Sequence, residues 1–157
     1  MHLILIRFPG LILLVALHIG AGSFLGAFFP PGLWLEGLVK PAFYPPTWAF
    51  PVAWTILYAM MGCSVWLVFK AKQGPKRLAL WLYAAQLVVN LAYTPLCFGL
   101  ESTLLGFLDV GLLLVLLLTT IPSFYQISRT AALLLVPYLL WVCFAFVLSF
   151  FIWRLNS

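Results

Sequence analysis

The sequence predicts an all-α membrane protein, a bundle of five transmembrane helices. Three observations carry that reading. The chain is 66% hydrophobic and only 7% charged, whereas a soluble domain carries about 25% charged residues. Such a chain lacks the polar side chains to cover a water-facing surface. Five apolar stretches are each long enough to cross a hydrocarbon core of about 30 Å at about 1.5 Å per residue. They are continuous rather than alternating, which excludes a β-barrel. The length suits one domain, and residues 1–157 are read as a single one.

The first span is expected over residues 9–29. Arg7 before an apolar run gives it a superficial likeness to a signal peptide. Ala21, Gly22 and Ser23 make a poor cleavage site and the run continues to Phe29, so it is read as a retained helix. Pro30, Pro31 and Gly32 stop it. The pairs Ala16/Gly20 and Gly22/Gly26 are small-xxx-small patterns, which let helix backbones approach closely in lipid. They mark an intramolecular seam or a dimer face, with the seam slightly favoured. His18 lies mid-span. It is a functional candidate by default, and the competing reading is a neutral ring hydrogen-bonded to a neighbouring helix.

Residues 30–46 read as a loop, and residues 47–69 as the second span. The stretch from Lys40 to Tyr58 holds four prolines and six aromatics. Pro41, Pro45 and Pro46 stiffen its first half, while Pro51 falls in the first turn or so of the helix, where a missing N–H costs little. Phe50, Trp54 and Tyr58 recur every fourth residue and share one helical face. A stiff loop feeding an aromatic face can form the lid and wall of a flat-ligand pocket. Aromatics at this depth also serve as interfacial anchors, and spacing alone leaves the two readings level.

The basic loop Lys70, Lys72, Lys76, Arg77 turns at Gly74-Pro75. The third span, 78–98, is the most polar. Tyr83, Gln86, Asn90 and Tyr93 lie on one face, which must point inward because amides are costly against lipid. That face serves interhelical hydrogen bonding or lines a ligand site. Pro95 should kink its exit. The fourth span, 103–125, is capped by Ser102 or Thr103 and is mostly leucine and valine. Asp109 within it must face protein or water. A structural partner across the bundle is expected, with Glu36 and Glu101 on the same membrane side. The fifth span, 131–153, places Tyr138, Trp141, Ala145 and Leu148 on one stripe with Ser149 beside it, and Trp141 can face Trp54. Pro137 sits early in this helix.

Five spans put the chain ends on opposite sides. Arg7, Lys70, Lys72, Lys76, Arg77 and Arg129 fall on one side, Lys40 and Arg154 on the other. The positive-inside bias predicts a cytoplasmic N-terminus, with a bacterial cell membrane as the expected location. The net charge of +5 is thereby accounted for, and no nucleic-acid partner is expected. Cys63, Cys97 and Cys143 are widely spaced within apolar runs and are expected to be buried free thiols, with neither metal nor disulfide.

Three runs, KPAFYPPTWAFPVAWTILYAMMG, YAAQLVVNLAYTPLCFG and PYLLWVCFAFVL, resemble the TspO/translocator-protein family, also called tryptophan-rich sensory proteins or peripheral-type benzodiazepine receptors. The resemblance covers nearly the whole chain in order. It implies a five-helix bundle, commonly a homodimer, that binds porphyrins or haem-like tetrapyrroles and, in eukaryotic members, cholesterol and synthetic ligands. The pocket would open under the loop between the first two spans. The resemblance gives Trp54 and Trp141 as its two tryptophans, Gln86 and Asn90 as polar positions, Tyr58 as a lining aromatic, and Ala145 as a small residue whose enlargement alters binding. Together with the faces above, the expected ligand-binding set is Trp34, Pro45, Phe50, Trp54, Tyr58, Gln86, Asn90, Tyr93, Tyr138, Trp141, Ala145 and Leu148. Porphyrin or haem is expected as ligand, with no required cofactor.

The chain also departs from the family. Leu35 stands in place of a loop tyrosine, Phe43 and Tyr93 in place of tryptophans, Cys97 in place of a phenylalanine and Ser149 in place of an asparagine. Phe150 takes the central tyrosine of the sterol-recognition segment 148–154, so sterol affinity is not expected to be high. The leading function is a membrane receptor or transporter-like binder of tetrapyrroles. The alternatives are light-dependent porphyrin degradation through Trp54 and Trp141, sterol binding, and a scaffold whose aromatics merely pack. No nucleophile–base pair is visible in the sequence.

Overall fold

Five helices long and apolar enough to cross a membrane run through the computed structural model, which describes residues 8–157. Arg7, counted above for topology, lies outside the described residues. In chain order the helices are α1 (Phe8–Phe28), a short α2 (Gly32–Gly37), α3 (Ala49–Lys70), α4 (Lys76–Thr94), α5 (Thr103–Tyr125), α6 (Arg129–Leu134) and α7 (Val136–Leu155). There is no strand among the described residues. The loop read over 30–46 contains α2, whose left-handed first residue is Gly32 at φ 52°. Ser102 caps α5 by accepting from the Leu105 N–H at 3.3 Å, and Ser128 caps α6 by accepting from Ala131 at 3.3 Å.

Proline sets the irregularities of the third and fifth spans. Pro95 cannot donate to the turn before it, and the chain passes into a π-helical turn over Pro95–Gly99. There the Leu100 N–H bonds the Pro95 carbonyl at 3.0 Å and the Ser102 N–H bonds Cys97 at 3.0 Å. The fifth span was expected as one helix over 131–153. It is instead broken at Leu135, between α6 and α7, because the Pro137 ring displaces the carbonyl four residues back.

α1 packs on α3, α4 on α5, α5 on α7, and α6 bridges α3 and α5. α1 is the most peripheral; of its described side chains only His18 is buried. Close backbone approach holds it. A Cβ on Gly62 would lie 2.8 Å from the Val15 Cα, and one on Gly22 would lie 2.2 Å from the Tyr58 ring. The small residues of α1 are therefore divided. Gly22 belongs to an intramolecular seam, whereas Ala16 and Gly20 face outward.

The two halves of the bundle differ. Toward the Lys70–Lys76 loop it is solid, with Met61, Val68, Leu117, Phe124 and Leu135 fully buried. Toward the loop after α1 it is hollow. Leucines and valines such as Leu17, Val88, Leu112 and Leu140 face outward, as a lipid-facing surface requires. The cysteines correct an expectation: Cys97 is buried, Cys63 is half-buried and Cys143 is exposed on the apolar belt.

Substituting Gly62 by Val should force α1 and α3 apart and lower stability by roughly 1–3 kcal/mol. Gly20→Ala meets nothing within 4 Å and should leave the melting temperature in detergent unchanged or slightly raised. A scan of the two variants by thermal unfolding checks the contrast.

Candidate functional site

The hollow half encloses a cavity of about 500 Å³, within the roughly 300–1,000 Å³ common for small-molecule sites. α3 supplies one wall through Phe50, Trp54 and Tyr58, the face expected from their spacing. Trp54 and Tyr58 pack with ring centroids 5.4 Å apart. α7 supplies the opposite wall through Trp141, Ala145, Leu148 and Ile152. The Trp141 ring meets Phe50 edge-on at 6.1 Å, joining the two walls. Trp34, Leu35, Leu38 and Tyr44 from the loop form the roof, with Trp34 against Phe98 at 6.4 Å.

The floor is a chain of directed hydrogen bonds. The Tyr58 hydroxyl donates to Asn90 Oδ1 at 2.8 Å, and Asn90 Nδ2 donates to the Tyr138 hydroxyl at 2.8 Å. Tyr138 in turn donates to Gln86 Oε1 at 3.1 Å. α3, α4 and α7 are thereby tied together. Gln86 Nε2 has no partner among the described residues. Deeper in the bundle, His18 Nδ1 donates to the Leu14 carbonyl at 2.7 Å and Nε2 accepts from the Tyr83 hydroxyl at 2.6 Å. These bonds fit a neutral ring with its proton on Nδ1, a structural tie between α1 and α4.

Trp34, Phe50, Trp54, Tyr58, Asn90, Tyr93, Trp141, Ala145 and Leu148 all border the cavity. Pro45, Gln86 and Tyr138 do not. Pro45 sits in the loop behind the roof. Gln86 and Tyr138 are fully buried behind Asn90, where they hold it in place. Trp54 and Trp141 share the cavity, but the aromatic partners of Trp54 are Tyr58 and Tyr138, and those of Trp141 are Phe50 and Phe144.

One cation near the roof is accounted for within its own loop, and one further expectation is corrected. The Lys40 ammonium bonds the carbonyls of Leu35 at 2.6 Å, Glu36 at 3.2 Å and Leu38 at 3.2 Å, closing the end of α2. All three of its protons are engaged. Asp109 was expected to find a structural partner. It is buried, yet Oδ2 has no hydrogen-bond partner among the described residues, and neither Glu36 nor Glu101 reaches it.

Sequence reasoning missed the α5 side of the cavity. Thr103, Gly106, Val110 and Leu113 line it at spacings of three and four. Gly106 was the available signal within a leucine-rich run. A Cβ there would meet Cys97 Sγ at 2.8 Å. Among the described residues, no charged side chain borders the cavity. Burial raises the Tyr44 hydroxyl above its ordinary range, with the neighbouring Cys97 as a second cause, so Tyr44 is also uncharged at neutral pH. The arrangement suits an apolar, aromatic-compatible body, with hydroxyls such as Thr94 and Ser149 and the Asn90 amide as its polar groups.

A five-helix membrane protein with an uncharged, aromatic-walled cavity beneath a proline-rich loop is the class that fold and site define. The TspO/MBR family matches residues 12–154, and the chain belongs to that family. It is 41% identical over 153 residues to the tryptophan-rich protein TspO of Chlorobaculum tepidum, covering 92% of this chain and 97% of that one. It is 36% identical to the tryptophan-rich sensory protein of Cereibacter sphaeroides over 87% of this chain and 85% of that one. It is 39% identical to the human translocator protein over 86% of this chain and 83% of that one.

Tyr138→Phe deletes the hydroxyl between Asn90 and Gln86, leaving the Gln86 carbonyl without its donor. Loss of roughly 1–3 kcal/mol of stability is expected. Thr55→Val, which removes only a bond to the Pro51 carbonyl of its own helix, should melt close to wild type in the same detergent.

Proposed function

We propose that this protein is a membrane receptor or carrier for a porphyrin or haem-type tetrapyrrole, held in the hollow half under the loop after α1. The observation that carries the reading is the cavity itself: aromatic on facing walls, without charge, and roofed by a loop. A flat conjugated ring gains stacking and apolar burial between Trp54 and Trp141. Its carboxylates find no cation inside the cavity and would project past the roof toward the membrane surface. Asn90 would contribute one Nδ2 proton to a polar rim, since the other is donated to Tyr138 and Oδ1 already accepts from Tyr58.

The names of the relatives, sensory protein and translocator, support a role in ligand sensing or movement rather than in a stoichiometric cofactor site. The charge asymmetry supports a cytoplasmic N-terminus in a bacterial cell membrane. Exposed apolar residues on α1, with Ala16 and Gly20 among them, support a homodimer within the lipid bilayer.

Protoporphyrin IX added to detergent-solubilised protein should quench tryptophan fluorescence saturably. Ala145→Phe, which fills the wall beside Trp141, should weaken that binding at least about tenfold while the melting temperature of the free protein falls little. Linear, unsaturable quenching of the wild type would rule the reading out.

A further inference from the structure

The loop over residues 30–48 roofs the cavity, and its hold on the bundle is narrow. Among the described residues, its other hydrogen bonds stay within residues 31–49. The exception lies far away in sequence. Asn156 Oδ1 accepts from the Val39 N–H at 2.9 Å, and Asn156 Nδ2 donates to the Val39 carbonyl at 2.9 Å. The second Nδ2 proton goes to the Ile152 carbonyl at 2.7 Å, which fixes the amide on the end of α7. Only one orientation of the amide satisfies all three bonds; a flipped one would face donor to donor and acceptor to acceptors. The side chain thus imitates a backbone peptide and pins both polar groups of one loop residue.

Its position matters as much as its bonds. Leu38, beside Val39, lines the cavity roof, and Ile152, one turn before Asn156, lines the α7 wall. Asn156 continues the stripe of Trp141, Ala145, Leu148 and Ile152 by one further turn. Its bond to Val39 therefore spans the seam between roof and wall. Its other attachments include aromatic contacts, Tyr44 on Phe50 at 5.5 Å, Phe43 on Phe151 at 5.6 Å and on Phe144 at 6.5 Å, and Trp34 on Phe98 at 6.4 Å. Such contacts tolerate sliding more readily than a two-point hydrogen bond does.

We infer that Asn156 is the latch of the cavity roof: its amide positions residues 30–48 over the hollow half, and release of Val39 opens the route by which ligand passes. Asn156 is a positioning residue and does not touch the ligand. The latch is the same in free and occupied protein, so weakening it speeds passage in both directions. Its role in ligand exchange rests on the tetrapyrrole reading above; its hold on the loop does not.

The experiment has two arms on the full chain in detergent. Hydrogen exchange of ligand-free protein reads the amides of Leu35, Leu38 and Tyr44, which are bonded inside the loop. In Asn156→Ala these should exchange on the order of tenfold faster, while amides in the middle of α3 and α7 keep wild-type protection. Unchanged loop exchange overturns the latch, whether or not any porphyrin binds. Stopped-flow tryptophan quenching by protoporphyrin IX then reads passage. Association and dissociation rates should both rise about tenfold, with Kd changed by less than about threefold. A rise in dissociation alone, or neither rate changing, overturns the gating role. Asn156→Asp keeps the acceptor for Val39 but sets a carboxylate against two carbonyls, and it should repeat the Ala result if the Ala protein proves too unstable to assay.

Discussion

The hydrogen-bond chain from Tyr58 through Asn90 and Tyr138 to Gln86 is the constraint on which the bundle depends. Inside a bilayer there is no water to satisfy an amide or a phenol, so each such group must find its partner in the protein. Placing these four residues on α3, α4 and α7 makes three helices meet at one level. Below that level large side chains fill the core. Above it the same helices present Phe50, Trp54, Ala145 and Leu148 and leave a void. Gly22 lets α1 close against the back of the Tyr58 ring, because any side chain there would collide with it. The polar chain thus serves as the floor of the cavity and as the register mark for the helices around it.

The bundle's buried amides are concentrated in that floor, and no charged side chain among the described residues borders the cavity above it. Lys40 is consumed in closing α2, and Asp109 does not border the cavity. On the proposed reading, a ligand is selected by shape and by its aromatic or apolar surface, and its charged ends are left to the membrane interface. The roof is built differently from the walls. The walls are helices locked by packing and by the polar chain, whereas the roof is a proline-stiffened segment joined to the bundle by aromatic contacts and one amide. Under the proposed gating, rigid walls with a separately fastened roof would let the protein keep its cavity while a ligand passes.

Much of the fold was legible because hydrophobic length is a strong signal. The spans expected at 9–29, 47–69, 78–98 and 103–125 correspond to α1, α3, α4 with its π turn, and α5. The fifth reads as one helix because Pro137 falls where an early-helix proline is tolerated. Its effect on the carbonyl of residue 133 depends on how far the helix extends backward, to Arg129. The site was legible where spacing and type agreed, as for Phe50, Trp54 and Tyr58. Periodicity gives a face but not a depth, so Gln86 and Tyr138 looked like lining residues although they stand behind Asn90. Gly106 and Val110 escaped notice because small and branched apolar residues look like packing until the void beside them is seen. Asn156 lies past the last apolar residue of its span, and its partner is 117 positions away. No local pattern connects the two.

The most direct measurement of the central claim is an experimental structure of the protein with protoporphyrin IX bound. The macrocycle is expected above Asn90 between Trp54 and Trp141, with its carboxylates directed past Leu38 toward the membrane surface. A ring bound on the lipid-facing side of the helices, with the hollow half still open beneath the loop, would contradict it.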